Sequence, residues 1–128
     1  MTGRFVFDSS VVLAIIGEER GSEEFAEFAS VALISAVNYI EVVTKLVDRG
    51  LDESMIGQTF ANLNLTIIDL DVSQATHAGF LRAKTRSKGL SLGDRACLAL
   101  AHATGRIALT ADRAWADLDV GVTIELIR

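Results

Sequence analysis

Three aspartates, Asp8, Asp94 and Asp112, stand where a folded chain would set them at the starts of helices. Asp8 directly follows the strand-like run 4–7. Asp112 follows the run 106–109 with only Thr110 and Ala111 between. In an open α/β sheet, residues just past the strand ends line the ligand crevice. Asp94 arrives by another route, three residues after Ser91, which is the spacing of a capping box. Carboxylates brought to one place by separate elements are the oxygen donors that hard divalent cations take. Each aspartate also has a plain explanation, because Asp is a favoured N-cap and suits the positive end of a helix. Both readings are open for any one of them, and the context shared by all three favours a site. Glu41 has less local support. On a helical wheel it shares a polar face with Asn38, Lys45 and Asp48, and an i, i+4 pair with Lys45 suffices to explain it.

The elements that must carry these residues follow from periodicity. Residues 4–7 read as a buried strand, and Asp8-Ser9-Ser10 caps a helix to about residue 17. A short amphipathic helix over 21–29 carries Phe25 and Phe28. Residues 31–34 form a second apolar strand. A long helix over 35–49 places Val37, Ile40, Val43 and Val47 at helical spacing, and Gly50 stops it. Asp52 caps a helix through about residue 62, and residues 65–68 form the third strand. Asp71 caps a fifth helix through about residue 87, with Gln74 at the box position. Ser91 then opens a helix of small apolar residues that Gly105 ends with a left-handed turn. A strand over 106–109 follows. The last strand, 122–127, alternates apolar and polar residues, as an edge strand does. Strands separated by helices imply βαβ crossovers and a parallel sheet.

Composition sets bounds on function. The 128 residues suit one domain, 1–128, and 50% of them are hydrophobic, enough for a real core. Twelve basic residues against 17 acidic give a net charge of −5, which argues against nucleic-acid binding through bulk positive charge. Acidic residues concentrated on a metal remain compatible with that balance. Cys97 is the single cysteine, so no internal disulfide and no cysteine-based zinc site can form. A reducing compartment fits. There is no signal-peptide core and no apolar run of about 18 residues, so a cytoplasmic protein with no membrane span is expected.

Three segments together, FVFDSSVVLA, ISAVNYIEVVTKL and LSLGDRACLALAHATG followed by LTADRAW, resemble PIN-domain ribonucleases of the VapBC toxin–antitoxin type over essentially the full length. The resemblance implies a PIN-like three-layer α/β fold: a five-stranded parallel sheet of order 3-2-1-4-5 with helices on both faces. It implies a metal-dependent endoribonuclease, the toxin of a type II toxin–antitoxin module. Carried over by position, the acidic quartet is Asp8, Glu41, Asp94 and Asp112, around Mg2+ or Mn2+. Asp8 and Asp94 are then the firmest ligands. Asp112 binds directly or through water, and Glu41 holds a bound water or a second ion. Ser9 and Thr110 match the small hydroxyl positions beside the site, and Asn38 matches the polar residue one turn before Glu41. The implied partners are an RNA substrate, a cognate antitoxin whose C-terminal segment lies along the groove, and a second copy in a homodimer. The net acidity is a departure that bears on the RNA-binding surface.

Other features carry less. Arg82, Lys84, Arg86 and Lys88 form a basic run that is either a solvated face or an RNA guide. His77 and His102 lack partners at ligand spacing and read as structural. Trp115, one turn after Asp112, packs its helix down or stacks on a base. Two rival functions stand. One is a non-catalytic acidic α/β module that only binds a partner. The other rests on 67–73, where an apolar strand with Asp69 and Asp71 resembles the first motif of haloacid-dehalogenase-type phosphatases. There Ser73 replaces the usual Thr or Val, and few residues follow for that family's remaining elements.

Overall fold

The computed structural model describes residues 3–128. Its centre is a five-stranded, all-parallel sheet with strand order β3-β2-β1-β4-β5. The strands are β1 (Phe5–Phe7), β2 (Leu33–Ser35), β3 (Thr66–Ile68), β4 (Ile107–Thr110) and β5 (Ile124–Leu126). One row of paired residues, Thr66, Leu33, Val6, Ala108 and Ile124, crosses the whole sheet. The chain winds outward from β1 to β3, then returns to lay β4 on the other side of β1. That reversal opens a crevice where the C-terminal ends of β1 and β4 diverge. Strand order and parallel pairing match those expected from the sequence, and the last strand lies at an edge as its alternation predicts.

Burial on both faces explains the apolar strands. Phe5, Phe7 and Leu109 face a cluster with Val11, Val12, Val42, Leu46 and Phe60. Val6 and Ala108 point the other way, towards Leu81, Leu90, Leu98, Leu100 and Trp115. The first cluster is supplied by α1 (Ser9–Ile16), α2 (Glu23–Ala26), α3 (Ala36–Asp48) and α4 (Glu53–Leu63). The second is covered by α5 (Val72–Phe80), α6 (Arg82–Thr85) and α7 (Leu92–Thr104). Leu98 and Leu100 are fully buried, and burial of each contributes roughly 1.5–3 kcal/mol.

Local signals are used as the sequence suggests at most helix ends. The side chains of Ser35, Asp52 and Asp71 accept from backbone amides two or three residues on, and Gly105 adopts φ 66° to close α7. Three elements differ. The helix predicted over 71–87 breaks at Leu81 into α5, α6 and a 3-10 turn, Arg86–Lys88, so the basic run does not lie along one helix. Val31 ends a 3-10 turn and β2 starts at Leu33, because Ala29 turns inward to pack. The largest departure is the face of α3. Its buried row is Asn38, Val42 and Leu46, while Ile40 and Val47 are exposed. Helix α3 packs between α1 and α7, so the side carrying Asn38 and Glu41 is covered, and Glu41 makes no pair with Lys45.

That assignment has an energetic signature. Leu46→Ala, at a site 1% exposed, should cost about 2–5 kcal/mol in urea denaturation. Ile40→Ala, at 62% exposed, should stay within about 0.5 kcal/mol. Equal costs would mean that α3 is rotated from the face described.

Candidate active site

Asp8 sits at the end of β1, in the N-cap position of α1, yet its side chain makes no cap hydrogen bond. Its carboxylate is used otherwise. Oδ2 accepts from Ser10 Oγ at 2.7 Å and from Thr110 Oγ1 at 2.9 Å. The two hydroxyl oxygens accept in turn from the next loop, Ser10 from Ala111 N and Thr110 from Asp112 N, each at 3.0 Å. The ends of β1 and β4 are thereby tied together around one carboxylate. Asp8 is 3% exposed, and its Oδ1 is buried with no hydrogen-bond partner. A buried anionic oxygen left unpaired is costly unless something fills its place.

Glu41 enters from α3, held from two sides. Its Oε1 accepts from Ser9 Oγ and from Asn38 Nδ2, both at 2.9 Å. The same Asn38 nitrogen donates to Gly93 O at 3.0 Å, bridging α3 to the start of α7. Glu41 Oε2 lies against Gly93, where any Cβ would collide with it. Asp94 forms the capping box with Ser91: its Oδ2 accepts from Ser91 N at 2.9 Å, and Ser91 Oγ accepts from Asp94 N at 3.2 Å. Asp112 is exposed, and its Oδ1 accepts from Ala114 N at 2.9 Å, capping the 3-10 turn Arg113–Trp115. Asp94 and Asp112 therefore do cap, and Asp8 does not.

The four acidic residues occupy one end of the sheet and feel one another. Burial pushes Asp8 up to about 6 from 3.8; the Ser10 and Thr110 hydrogen bonds oppose this, and the charges of Asp94 and Glu41 add to it. Burial also raises Asp94, against the Ser91 hydrogen bonds, with Glu41 and Asp112 adding repulsion. The buried Cys97 thiol is pushed well up by desolvation and then by Asp8, Asp94 and Glu41. Among the described residues no cation compensates these charges. The two ion pairs, Lys88–Asp117 and Arg128–Glu19, lie elsewhere, and Arg95 turns to Ala78 O.

The donor set suits a hard divalent cation: an unpartnered buried carboxylate oxygen, further carboxylates within mutual repulsion, and no competing ammonium or guanidinium group. Among the described residues no group of three His, Cys, Asp or Glu side chains converges tightly enough to hold an ion as it stands. Asp94 and Asp112 each give one oxygen to a helix cap and keep the other free.

Two residues near the site escape the sequence reading. Ser10 is the hydroxyl that binds Asp8, while Ser9 serves Glu41. Gly93 supplies the space beside Glu41; its position next to Asp94 was the available signal. Trp115 is fully buried and packs, which leaves no face for stacking. Arg82, Lys84, Arg86 and Lys88 are exposed, and none hydrogen-bonds or ion-pairs with the four carboxylates. Asp71 caps α5 beside the edge strand β3, away from the β1–β4 crevice.

Two outcomes follow. Without divalent cations, stability should fall as the pH rises from about 4 to about 6, because the unfolded Asp8 ionises first. The loss should level off near 3 kcal/mol once the folded carboxylate ionises too. Asp8→Asn should flatten that fall and melt above the parent at pH 8 in EDTA; an unchanged pH profile would refute the burial account. Gly93→Ala should destabilise by about 1–3 kcal/mol, and most of that loss should disappear in a Glu41→Ala background, as a double-mutant cycle would register.

Comparison with known proteins places the chain. A search of curated proteins found no significant match. Among solved structures it is similar to DNA-bound VapBC from Salmonella typhimurium, with TM-score 0.72 and 22% identity over 100% of both chains. It is similar to VapBC2 from Rickettsia felis bound to a promoter DNA fragment, with TM-score 0.74 and 16% identity over 95% of this chain and 97% of that one. It is also similar to Mycobacterium tuberculosis VapC20, a sarcin-ricin loop cleaving toxin, with TM-score 0.71 and 16% identity over 93% and 98%. At these identities the likeness is one of fold. The model of the PIN domain family matches residues 5–121, and with the sheet order and the acidic cluster in place, the chain belongs to the PIN domain family.

Proposed function

We propose that this protein is a divalent-metal-dependent endoribonuclease, the toxin of a type II toxin–antitoxin module, formed as one domain and working in the cytoplasm. The observation that carries the reading is Asp8: a buried carboxylate with one oxygen unpartnered, at the sheet's switch point, facing the charges of Asp94 and Glu41 with no protein cation beside them. The PIN family match and the folds shared with VapBC toxins support it.

Asp8, Asp94 and Asp112 would hold Mg2+ or Mn2+. When bound, such an ion neutralises charge on phosphoryl oxygens and lowers the pKa of water. The chain's own residues prepare for this. Ser10 and Thr110 fix Oδ2 of Asp8, leaving Oδ1 as the available donor. Ser9 and Asn38 hold Glu41, so its carboxylate is set to orient a water or a second ion. Asp94 and Asp112 keep one oxygen each on a cap and one free, so capping and metal binding are compatible uses of the same side chain.

The partners proposed are RNA as substrate, a second copy in a homodimer, and an antitoxin. An antitoxin segment that brings an Arg or Lys into the groove would meet uncompensated carboxylates. Exposed Ile40 and Val47 on α3 and Met55 on α4 offer apolar contact to the same partner. In the rival reading, a non-catalytic module, Asp94 and Asp112 would serve as caps alone.

Purified protein free of any partner separates the readings. RNA cleavage should stop with EDTA and return with Mg2+ or Mn2+, leaving 5′-phosphate and 3′-hydroxyl ends. Asp112→Asn should keep its cap, since Asn serves about as well at an N-cap, and Asp94→Asn should keep the Ser91 cap of α7, while each loses at least about 100-fold in rate. Products ending in 2′,3′-cyclic phosphate would overturn the hydrolytic mechanism. Asn variants as active as the parent would return both aspartates to capping alone.

A further inference from the structure

The two histidines, unpaired in the sequence reading, meet in the fold. Helices α5 and α7 pack together, and the His77 ring stands edge-on to the His102 ring with centroids 4.4 Å apart. Both rings line an open cavity of about 470 Å3, together with Ser73, Gln74, Ala99 and Ala103. Gln74 is 6% exposed; its Nε2 donates to Asp69 O at 3.3 Å, but its Oε1 is buried without a partner. The cavity wall thus offers two imidazoles and the polar residues Ser73 and Gln74, and no carboxylate.

We propose that His77 and His102 form a binding site for a borderline divalent transition metal of the zinc and nickel class, pinning α5 to α7. The donor chemistry selects the ion. Imidazole suits Zn2+, Ni2+ and Cu2+, whereas Mg2+, Ca2+ and Mn2+ prefer carboxylate oxygens, and no carboxylate lines this wall. Imidazole must be neutral to ligate. Lys84 stands close enough for its charge to act on His77. Two nitrogens about 2.1 Å from one ion need the rings opened slightly from edge contact, and the exposed His102 side chain can supply that rotation. Water from the open cavity would complete the shell around the two imidazoles. The Lys84 charge opposes the ion, so micromolar rather than tighter binding is expected.

The site is separate from the acidic crevice. His102 lies eight residues beyond Asp94 along α7, roughly 12 Å at 1.5 Å per residue. The proposal therefore stands whether or not the chain cleaves RNA.

The test uses untagged full-length protein in a large excess of Mg2+, which occupies the acidic crevice against the probe, with ZnCl2 added and followed by calorimetry and melting. The parent should bind one Zn2+, and its Tm should rise with Zn2+ concentration, since a ligand of the folded state stabilises it by mass action. His102→Ala, an exposed change that leaves the core intact, should weaken binding by at least roughly tenfold and abolish the Tm rise. His77→Ala should do the same. Asp8→Asn, which damages the acidic crevice, should keep both. With Cu2+ as a second probe, the parent's electron paramagnetic resonance spectrum should carry splitting from two imidazole nitrogens. Zn2+ binding absent in the parent, retained in His102→Ala, or lost in Asp8→Asn would each overturn the proposal.

Discussion

Asp8 must be carried, buried, to the point where β1 and β4 part, and a partner must be found there for every oxygen but one. Much of the local architecture answers that requirement. Parallel pairing of β1 with β4 brings Thr110 against Asp8, and the first turn of α1 brings Ser10. Those hydroxyls hand their oxygens to the amides of Ala111 and Asp112, so the loop after β4 takes its path from the same carboxylate. The strands reach this point because both of their faces are apolar, which anchors a charged end in a hydrophobic sheet. A carboxylate in that setting is held against its own preference for water.

The rest of the acidic cluster follows a division of labour between oxygens. Asp94 and Asp112 each give one oxygen to a helix start, which fixes the side chain without neutralising it. Glu41 is fixed by neutral donors, a serine and an asparagine, with the same result. Fixed carboxylates with no counter-charge beside them are what an electropositive ligand needs and what a folded chain alone would avoid.

The strands were legible because residues 4–7, 31–34 and 106–109 are short apolar runs bounded by turn residues, and their order was legible only through the resemblance that the acidic motifs carry. The caps at Ser91, Asp52 and Asp71 could be read from spacing alone. Glu41 could not. Its neighbours Asn38 and Lys45 look like a solvated face, and only the packing of α7 over α3 buries Asn38. The break at Leu81 was hidden because no Pro marks it and Gly79 lies inside the last turn of α5 rather than after it: Leu81 turns into the core and shortens the helix. The meeting of His77 with His102 depends on the register of α5 against α7, which no local pattern encodes.

Trp115 is the chain's single tryptophan, and it is fully buried in the cluster on the α7 side of the sheet. Its indole lies three residues from Asp112, at the far end of the turn that Asp112 caps. Light at wavelengths absorbed by tryptophan but not by Tyr39, which packs on the opposite layer, therefore samples one layer of the sandwich and not the other. Its emission should be blue-shifted by the dry surroundings, and its wavelength should report how firmly the loop after β4 is seated. The molecule carries its own optical gauge beside the acidic crevice, on a side chain that a substrate in the groove would not touch.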